Sequence, residues 1–265
     1  MLITKTMNFY WGGQPLSYLQ FMTIVSFHKF NQEWKIMLHI PIQSSNQMTW
    51  DTSEQKMEYT GKDYLDDLKA LPYVNINIVD FDAIGFFNTA PEVFKSDFLR
   101  WYILSTSGGG WSDMDILYLK PINELIEYNT DTMICLREYG NIIGFLLSKR
   151  ENPFFKRLLD NCQRYFNPYD YQSIGSKLMN IFYSREFDTI FEFPRLKNLE
   201  MAAFYKINHE SILDLFEVNR IDLIDNSVTG VHWYNGSEIA KKFNNQYSEL
   251  KDIDCTINEV LKRII

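Results

Sequence analysis

Apolar residues change period along the chain, and each change marks an element. Met7 to Trp11 is an apolar run of strand length. Leu16 to Phe30 has helical spacing behind Ser17, a good cap, and Ile36, Leu38, Ile40 and Ile42 then alternate as a strand. Tyr64, Leu65, Leu68 and Leu71 return to helical spacing, Pro72 closes that helix, and Val74 to Val79 alternates again. Strand, helix, strand, helix, strand predicts a doubly wound α/β start with parallel strands and helices on the faces. In such sheets ligands sit beyond the carboxyl ends of the strands, where Trp11, Asp80 and the Asp113 region fall. Further along, Met133–Arg137 and Asn141–Leu147 read as strands joined by Glu138-Tyr139-Gly140. Pro153 opens a helix through Phe166, Asp170–Phe182 reads as another, and Ile257, Val260, Leu261 and Ile264 form a terminal helix that Asp254 caps. With no internal repeat or linker, one domain over residues 1–265 is expected.

The densest chemistry lies in Lys95–Pro121, KSDFLRWYILSTSGGGWSDMDILYLKP. Asp97 and Arg100 stand three apart among Phe98, Trp101, Tyr102 and Leu104, so both charges leave one face of a mostly buried helix. Gly108, Gly109 and Gly110 end that helix. Asp113 and Asp115 then flank Met114 before the run Ile116–Leu119, and in extended chain both carboxylates point the same way, as two hard oxygen ligands for a divalent cation. Eighteen aspartates in 265 residues predict about one such triplet by chance, so context has to choose among the three present. Asp80-Phe81-Asp82 follows a strand and is either near the site or a solvated turn. Asp252-Ile253-Asp254 precedes the terminal helix.

Composition narrows the class. The chain is 46% apolar and 23% charged, ample for a sizeable core, and it has no run of eighteen apolar residues. The Met1–Lys5 start lacks the apolar stretch of a signal peptide, so a cytoplasmic location is expected, with peripheral contact at the inner membrane face compatible with it. Cys135, Cys162 and Cys255 are odd in number and widely spaced, which fits neither a disulfide framework nor a zinc site. A net charge of −8 argues against nucleic acid as a partner. A diphosphate substrate therefore needs a local positive centre, which a cation between the aspartates plus Arg100 provides.

The order of acidic-plus-Arg helix, paired glycines, Asp-x-Asp, apolar strand and Pro121 resembles the sugar-nucleotide-binding region of glycosyltransferase family 32. That region runs S-D-x-x-R-x-x-x-L-x-x-x-G-G-x-x-x-D-x-D-x-x-x-L-x-P. Asn8-Phe9-Tyr10-Trp11-Gly12-Gly13 followed by Pro15 is similar to the family's first strand, and Phe30-Asn31-Gln32-Glu33-Trp34 to its entry into the second, with Gln where the family has Pro. The catalytic core of the clostridial glucosylating toxins shares this layout. Near the end, Val231-His232-Trp233-Tyr234-Asn235-Gly236-Ser237 is similar to the family's late His and Gly-Ser, with Glu238 where the family has Trp.

The resemblance implies a GT-A-like fold: a Rossmann-type mixed α/β sheet flanked by helices, with extra C-terminal helices. Residues 1–121 form its nucleotide-sugar half and 122–265 its acceptor half. It implies a metal-dependent, retaining hexosyltransferase that moves sugar from a nucleotide-diphosphate donor, a UDP-sugar ahead of a GDP-sugar, to a glycan or lipid-linked glycan in bacterial polysaccharide, capsule or lipopolysaccharide synthesis. The implied catalytic residues are Asp97, Arg100 and Asp115. The donor site takes Trp11, Gly12, Asp80, Asp97, Arg100, Trp111, Asp113, Met114 and Ser237, and the metal ligands are Asp113, Asp115 and His232. An imidazole beside carboxylates leans toward Mn²⁺ over Mg²⁺.

Alternatives stay open at this level. Trp11 is either a base-stacking platform or core, and Asp97–Arg100 either holds donor hydroxyls or is a plain helix ion pair. The aromatic crowd Tyr165, Phe166, Tyr169, Tyr171, Phe182, Tyr183, Phe187, Phe191 and Phe193 is either core or a sugar-stacking acceptor cleft. His28 and His39 read as structural. A sugar-nucleotide hydrolase or pyrophosphorylase, a toxin- or effector-like protein glycosyltransferase, and a non-catalytic carbohydrate-binding protein on the same fold are the competing functions.

Overall fold

Strand β1 (Thr6–Tyr10) is the line from which the sheet grows in both directions, and its Met7 and Phe9 are fully buried. The computed structural model describes residues 3–13, 15–45, 58–135, 137, 140–183 and 195–265. Ser17 caps helix α1 (Tyr18–Phe30) in a capping box: Gln20 N donates to Ser17 Oγ, and Ser17 N donates to Gln20 Oε1 at 2.8 Å. Strand β2 (Lys35–Pro41), helix α2 (Leu65–Lys69) and strand β3 (Val74–Val79) follow where the periodicity places them. Helix α3 (Glu92–Thr106) then crosses back so that strand β4 (Gly109–Ser112) pairs with the other edge of β1.

The strands β3-β2-β1-β4 are all parallel, and the progression of the chain across the sheet reverses at β1, with β2 and β3 laid down on one side of it and β4 on the other. A parallel sheet opens a crevice at such a reversal, at the carboxyl ends of the strands. Glycine permits the crossing. Gly108 (φ 68°) stops α3 with its N–H on Ile103 O, and a Cβ at Gly109 (φ 96°) would lie 2.5 Å from Thr6 O.

Strand β5 (Ile116–Tyr118), strand β6 (Thr132–Cys135) and strand β7 (Ile142–Ser148) come next, β7 running antiparallel to both β4 and β6. Asn152 caps helix α4 (Pro153–Leu159), and helices α5 (Cys162–Tyr165) and α6 (Ser176–Phe182) follow. Strand β8 (Leu196–Asn198) completes a seven-stranded mixed sheet, β3-β2-β1-β4-β7-β6-β8. Short helices α7 (Ala202–Tyr205) and α8 (Leu213–Phe216) lead to strand β9 (Gly230–His232), which pairs antiparallel with β5 in a separate two-stranded sheet. Helices α9 (Glu238–Asn245), α10 (Tyr247–Leu250) and α11 (Thr256–Ile264) end the chain. This is the mixed sheet flanked by helices, with extra C-terminal helices, that the family resemblance implies.

Three apolar clusters hold the layers. Phe94, Phe98, Trp101, Phe154 and Tyr183 fill the α3 side, Phe9, Phe27, Leu38 and Phe145 the α1 side, and Trp233, Val231 and Leu261 the space between α1 and the C-terminal helices. Helix α1 is apolar nearly all round because it is covered on two sides, by β5 and by α11.

Local expectations fail at four places. The helix read from Pro153 through Phe166 breaks at Asp160 and Asn161 into α4 and α5. The helix read from Asp170 begins only at Ser176, because Gln172 turns left-handed (φ 59°) and Gly175 packs on the Asp97 carboxylate. Asp254 does not cap α11; it accepts from Asn219 Nδ2 at 2.6 Å, and Cys255 takes the cap position. Met114 and Asp115 form a turn, not extended chain, since the backbone leaves the large sheet after Asp113 N donates to Gly144 O and then enters the β5–β9 ladder. Glu138, Tyr139, Phe187, Phe191 and Phe193 lie outside the described residues.

A polar line crosses the parallel strands. Asn8 Nδ2 donates to Gly110 O, so Asn8 Oδ1 faces His39 and accepts from Nε2–H at 2.9 Å, leaving Nδ1 to accept from Asn77 Nδ2 at 2.9 Å. His39 is therefore held neutral, and burial lowers its pKa to about 4. The unfolded chain, with an ordinary imidazole near 6.5, takes up the proton first on acidification. The contribution of neutral His39 is thus complete above pH ~6.5 and is lost toward pH ~4, up to about 3 kcal/mol. Urea unfolding of His39→Gln is expected to lose that slope between pH 7 and 4.5 relative to the parent; parallel slopes would contradict the assignment.

Candidate active site

A cleft of about 300 Å³ opens at the carboxyl ends of β1 and β4, beside the amino-terminal half of α3. Trp11 and Gly12 come from the end of β1, and Glu92, Asp97 and Arg100 from α3. Ser112, Asp113 and Asp115 follow β4, Tyr171 and Gln172 precede α6, and Asn235 and Gly236 follow β9.

Arg100 ties the helix to the Asp-x-Asp turn. Its Nη2 donates to Asp113 Oδ1 at 2.8 Å, and its Nη1 lies 3.3 Å from Asp97 Oδ1. Asp97 and Arg100 are 2% and 3% exposed, which excludes a surface ion pair. Trp111, itself 1% exposed, donates Nε1–H to the same Asp113 oxygen at 3.0 Å and lies under the guanidinium, 5.1 Å from ring centre to Cζ. Both hydrogen bonds thus go to Oδ1 of Asp113, and neither goes to Oδ2. Burial raises the Asp113 pKa, the Arg100 charge pulls it down, and the Asp115 charge adds to the rise; the net shift is upward.

Asp115 meets His232 across 117 residues of chain because β5 and β9 pair in the register Ile116↔His232, with Trp233 N donating to Asp115 O at 2.9 Å. His232 Nε2 stands 3.2 Å from Asp115 Oδ1, and Asn235 N donates to Asp115 Oδ2 at 3.0 Å. Burial works against ionisation of both groups. The imidazole contact and the Asn235 N–H more than offset it for Asp115, whose pKa falls; Asp115 and Asp113 do the same for His232, whose pKa rises.

Asp115 Oδ1 and His232 Nδ1 are buried without a hydrogen bond, and Asp113 Oδ2 takes none. Three unspent donor atoms of oxygen and imidazole type suit a divalent cation. Among the described residues, however, no three such groups already stand together in cation-binding geometry.

Other predicted residues are placed as follows. Trp11 is half-buried, packing on the α1-side core while lining the cleft, and a Cβ at Gly12 would strike the Glu92 carboxylate. Met114 lines the cleft but is 7% exposed, its carbonyl accepting from Thr23 Oγ1. Ser237 caps α9, accepting from Ala240 N, while its neighbours Asn235 and Gly236 face the cleft. Asp80 lies outside it: its Oδ1 accepts from Asp82 N, Ala83 N and Asn88 Nδ2 in an exposed turn. Of the described members of the aromatic crowd, Tyr171 lines the cleft, Phe166 and Tyr183 pack into the α3-side core, and Tyr169 is exposed.

Three features escape a reading of the sequence. Glu92 accepts from Tyr10 Oη, Ser45 N (2.6 Å) and Lys95 Nζ (2.9 Å), so it fixes the loops after β1 and β2 around the cleft. Its one signal is its spacing, three before Lys95 on the helix of Asp97 and Arg100. Gly144 on β7 is the second: a Cβ there would lie 2.9 Å from Tyr205 Oη and 3.2 Å from Asp113 Oδ2. Tyr205 is the third, a buried phenol whose pKa is driven well up by burial and then by Asp113, and whose hydroxyl has no partner. Such an orphan costs about 1–3 kcal/mol.

Comparison with known proteins gives two family matches. Residues 51–131 match the glycosyltransferase sugar-binding region containing the DXD motif, and residues 147–258 match the alpha 1,4-glycosyltransferase conserved region. No curated protein matches by sequence. Among solved structures, the glycosyltransferase GlyE of Streptococcus pneumoniae TIGR4 superposes over 99% of this chain and 60% of its own at 12% identity, TM-score 0.55. The galactosyltransferase LgtC, solved with donor and acceptor sugar analogues, matches over 92% of this chain and 94% of its own at 11% identity, TM-score 0.49. PaToxG glycosyltransferase matches over 72% and 70% at 16% identity, TM-score 0.44. At these identities the GlyE likeness concerns the fold, and the chain spans about three fifths of GlyE's length.

The buried guanidinium neutralises two carboxylates, so its removal should be felt in the fold as well as in the site. Arg100→Met is expected to lower the unfolding free energy by about 3 kcal/mol in denaturant titration, the usual cost of orphaning a buried charge. Adding Asp97→Asn should restore part of the loss. A loss below about 1 kcal/mol would show that Arg100 is not the compensating charge.

Proposed function

We propose that this chain, which is a glycosyltransferase, moves a sugar from a nucleoside-diphosphate donor to a glycan acceptor with a divalent cation bound at Asp113, Asp115 and His232. The observation that carries the reading is the charge of the cleft. Glu92, Asp97, Asp113 and Asp115 line it; Lys95 is spent on Glu92, and Arg100, set between Asp97 and Asp113, is the one Lys or Arg among the described lining residues. A diphosphate entering that field is repelled unless a cation enters with it. The bound cation, for which an imidazole beside two carboxylates favours Mn²⁺, supplies neutralising charge for the diphosphate leaving group.

The chain's own residues do the rest. Trp11 presents an indole face to the nucleotide base. Arg100 has Nε and Nη1 without hydrogen bonds, two donors held in place by Asp97 and Asp113 and available to sugar hydroxyls or to the leaving oxygens. Asp97 accepts from the donor sugar. Asn235 N–H keeps Asp115 oriented. Tyr171 and Gln172 form the wall on the acceptor side, with Gln172 held in a left-handed backbone conformation. Family resemblance supports retention at the anomeric carbon, a UDP-sugar donor and a bacterial polysaccharide, capsule or lipopolysaccharide product. No described helix is long and apolar enough to cross a membrane, so a lipid-linked acceptor would be met at the membrane surface.

Asp115→Asn keeps volume and the Asn235 contact while removing the charge that offsets cation desolvation. Sugar transfer should fall by about two orders of magnitude or more, a loss of several kcal/mol of transition-state stabilisation, with the folded state intact by circular dichroism. A folded variant that retains transfer within about threefold of the parent contradicts the cation-dependent reading.

A further inference from the structure

Tyr205 ends α7 and is 3% exposed. Its ring lies 5.1 Å from that of His232, whose other neighbour, Tyr234, stands at 4.3 Å. The imidazole is thus packed between two phenols. Tyr234 Oη donates to Ile207 O at 3.1 Å, whereas Tyr205 Oη is buried with no hydrogen-bond partner among the described residues. Buried tyrosine hydroxyls ordinarily find a partner, and one left without it destabilises the fold.

The direction of that hydroxyl is informative. It borders a gap that exists because residue 144 carries no side chain, and Asp113 Oδ2 borders the same gap. Asp113 spends its hydrogen bonds on Oδ1, through Arg100 and Trp111, so the oxygen nearest the gap is the one left to bind something else. A neutral phenol brings one O–H donor to a place whose other occupants are a carboxylate oxygen and an imidazole edge.

We propose that Tyr205 is a positioning residue of the cation site, its hydroxyl donating to Asp113 Oδ2 or to a water of the cation's shell once a divalent cation is bound. The orphaned donor is then a feature of the cation-free protein alone. Gly144 is required because any side chain would occupy the gap through which phenol and carboxylate communicate. This inference rests on the cation reading proposed above for Asp113, Asp115 and His232, and it adds a residue that the sequence motifs do not contain.

Tyr205→Phe removes one oxygen atom and leaves the ring against His232. Two measurements are made on the full chain without nucleotide: thermal unfolding in EDTA, and calorimetric titration with MnCl2. The variant should melt at the parent's temperature or higher in EDTA, because an unpaired buried group has gone, yet bind Mn²⁺ about tenfold more weakly, as changes behind metal ligands do. A Kd within about twofold of the parent overturns the proposal, whatever the melting temperature. A purely structural tyrosine would give the opposite pattern, a lower melting temperature in EDTA with unchanged Mn²⁺ affinity. If the parent itself binds no Mn²⁺, the cation reading falls and this inference with it.

Discussion

Arg100 is the charge on which this cleft depends. A guanidinium at 3% exposure survives only with compensation, and it finds Asp97 one helical turn back on α3 and Asp113 at the end of β4. The two aspartates need it equally. Asp97 is buried, and Asp113 has Asp115 two residues away in the same turn, a like charge in a low-dielectric wall. Removing water from such a set is unfavourable for every member. Arg100 makes it tolerable by serving both carboxylates and by lying over Trp111, whose indole covers it and donates to the same Asp113 oxygen.

The same arrangement leaves a surplus of negative charge, and that surplus decides what the cleft can accept. With Lys95 spent on Glu92 and the Gln43 carbonyl, Arg100 is the one Lys or Arg among the described residues that line the cleft. Asp115 Oδ1 and Asp113 Oδ2 remain without hydrogen bonds, and His232 Nδ1 is likewise buried without one. The fold maintains these unfavourable positions by means far from the chemistry: the β5–β9 ladder, the Asn235 N–H and the glycine at 144.

Much of the fold was legible because local patterns there agree with tertiary ones. β1, α1, β2 and β3 are each the shortest reading of their own hydrophobic period, and Ser17 with Gln20 marks its helix start unambiguously. Asp97, Arg100, Asp113 and Asp115 are legible as neighbours because one short stretch of helix, glycine and strand, from Asp97 to Asp115, contains them all. What stayed hidden was set by pairings that sequence spacing does not encode. β9 is three residues long and acquires its meaning from β5. Glu92 and Tyr205 look like ordinary helix residues until the loops after β1 and β2, or the gap at Gly144, are in place. The misread helix start at Asp170 has the same origin, since Gln172 and Gly175 adopt their backbone angles to meet the cleft and Asp97.

An acidic cleft of this kind is expected to accept a diphosphate only together with a divalent cation. Calorimetric titration of the protein with UDP, once in Mn²⁺ and once in excess EDTA, tests it most directly. Binding in Mn²⁺ with at least about a hundredfold weaker affinity in EDTA, near 2.7 kcal/mol, is the result expected. Equal affinity in the two buffers would contradict it.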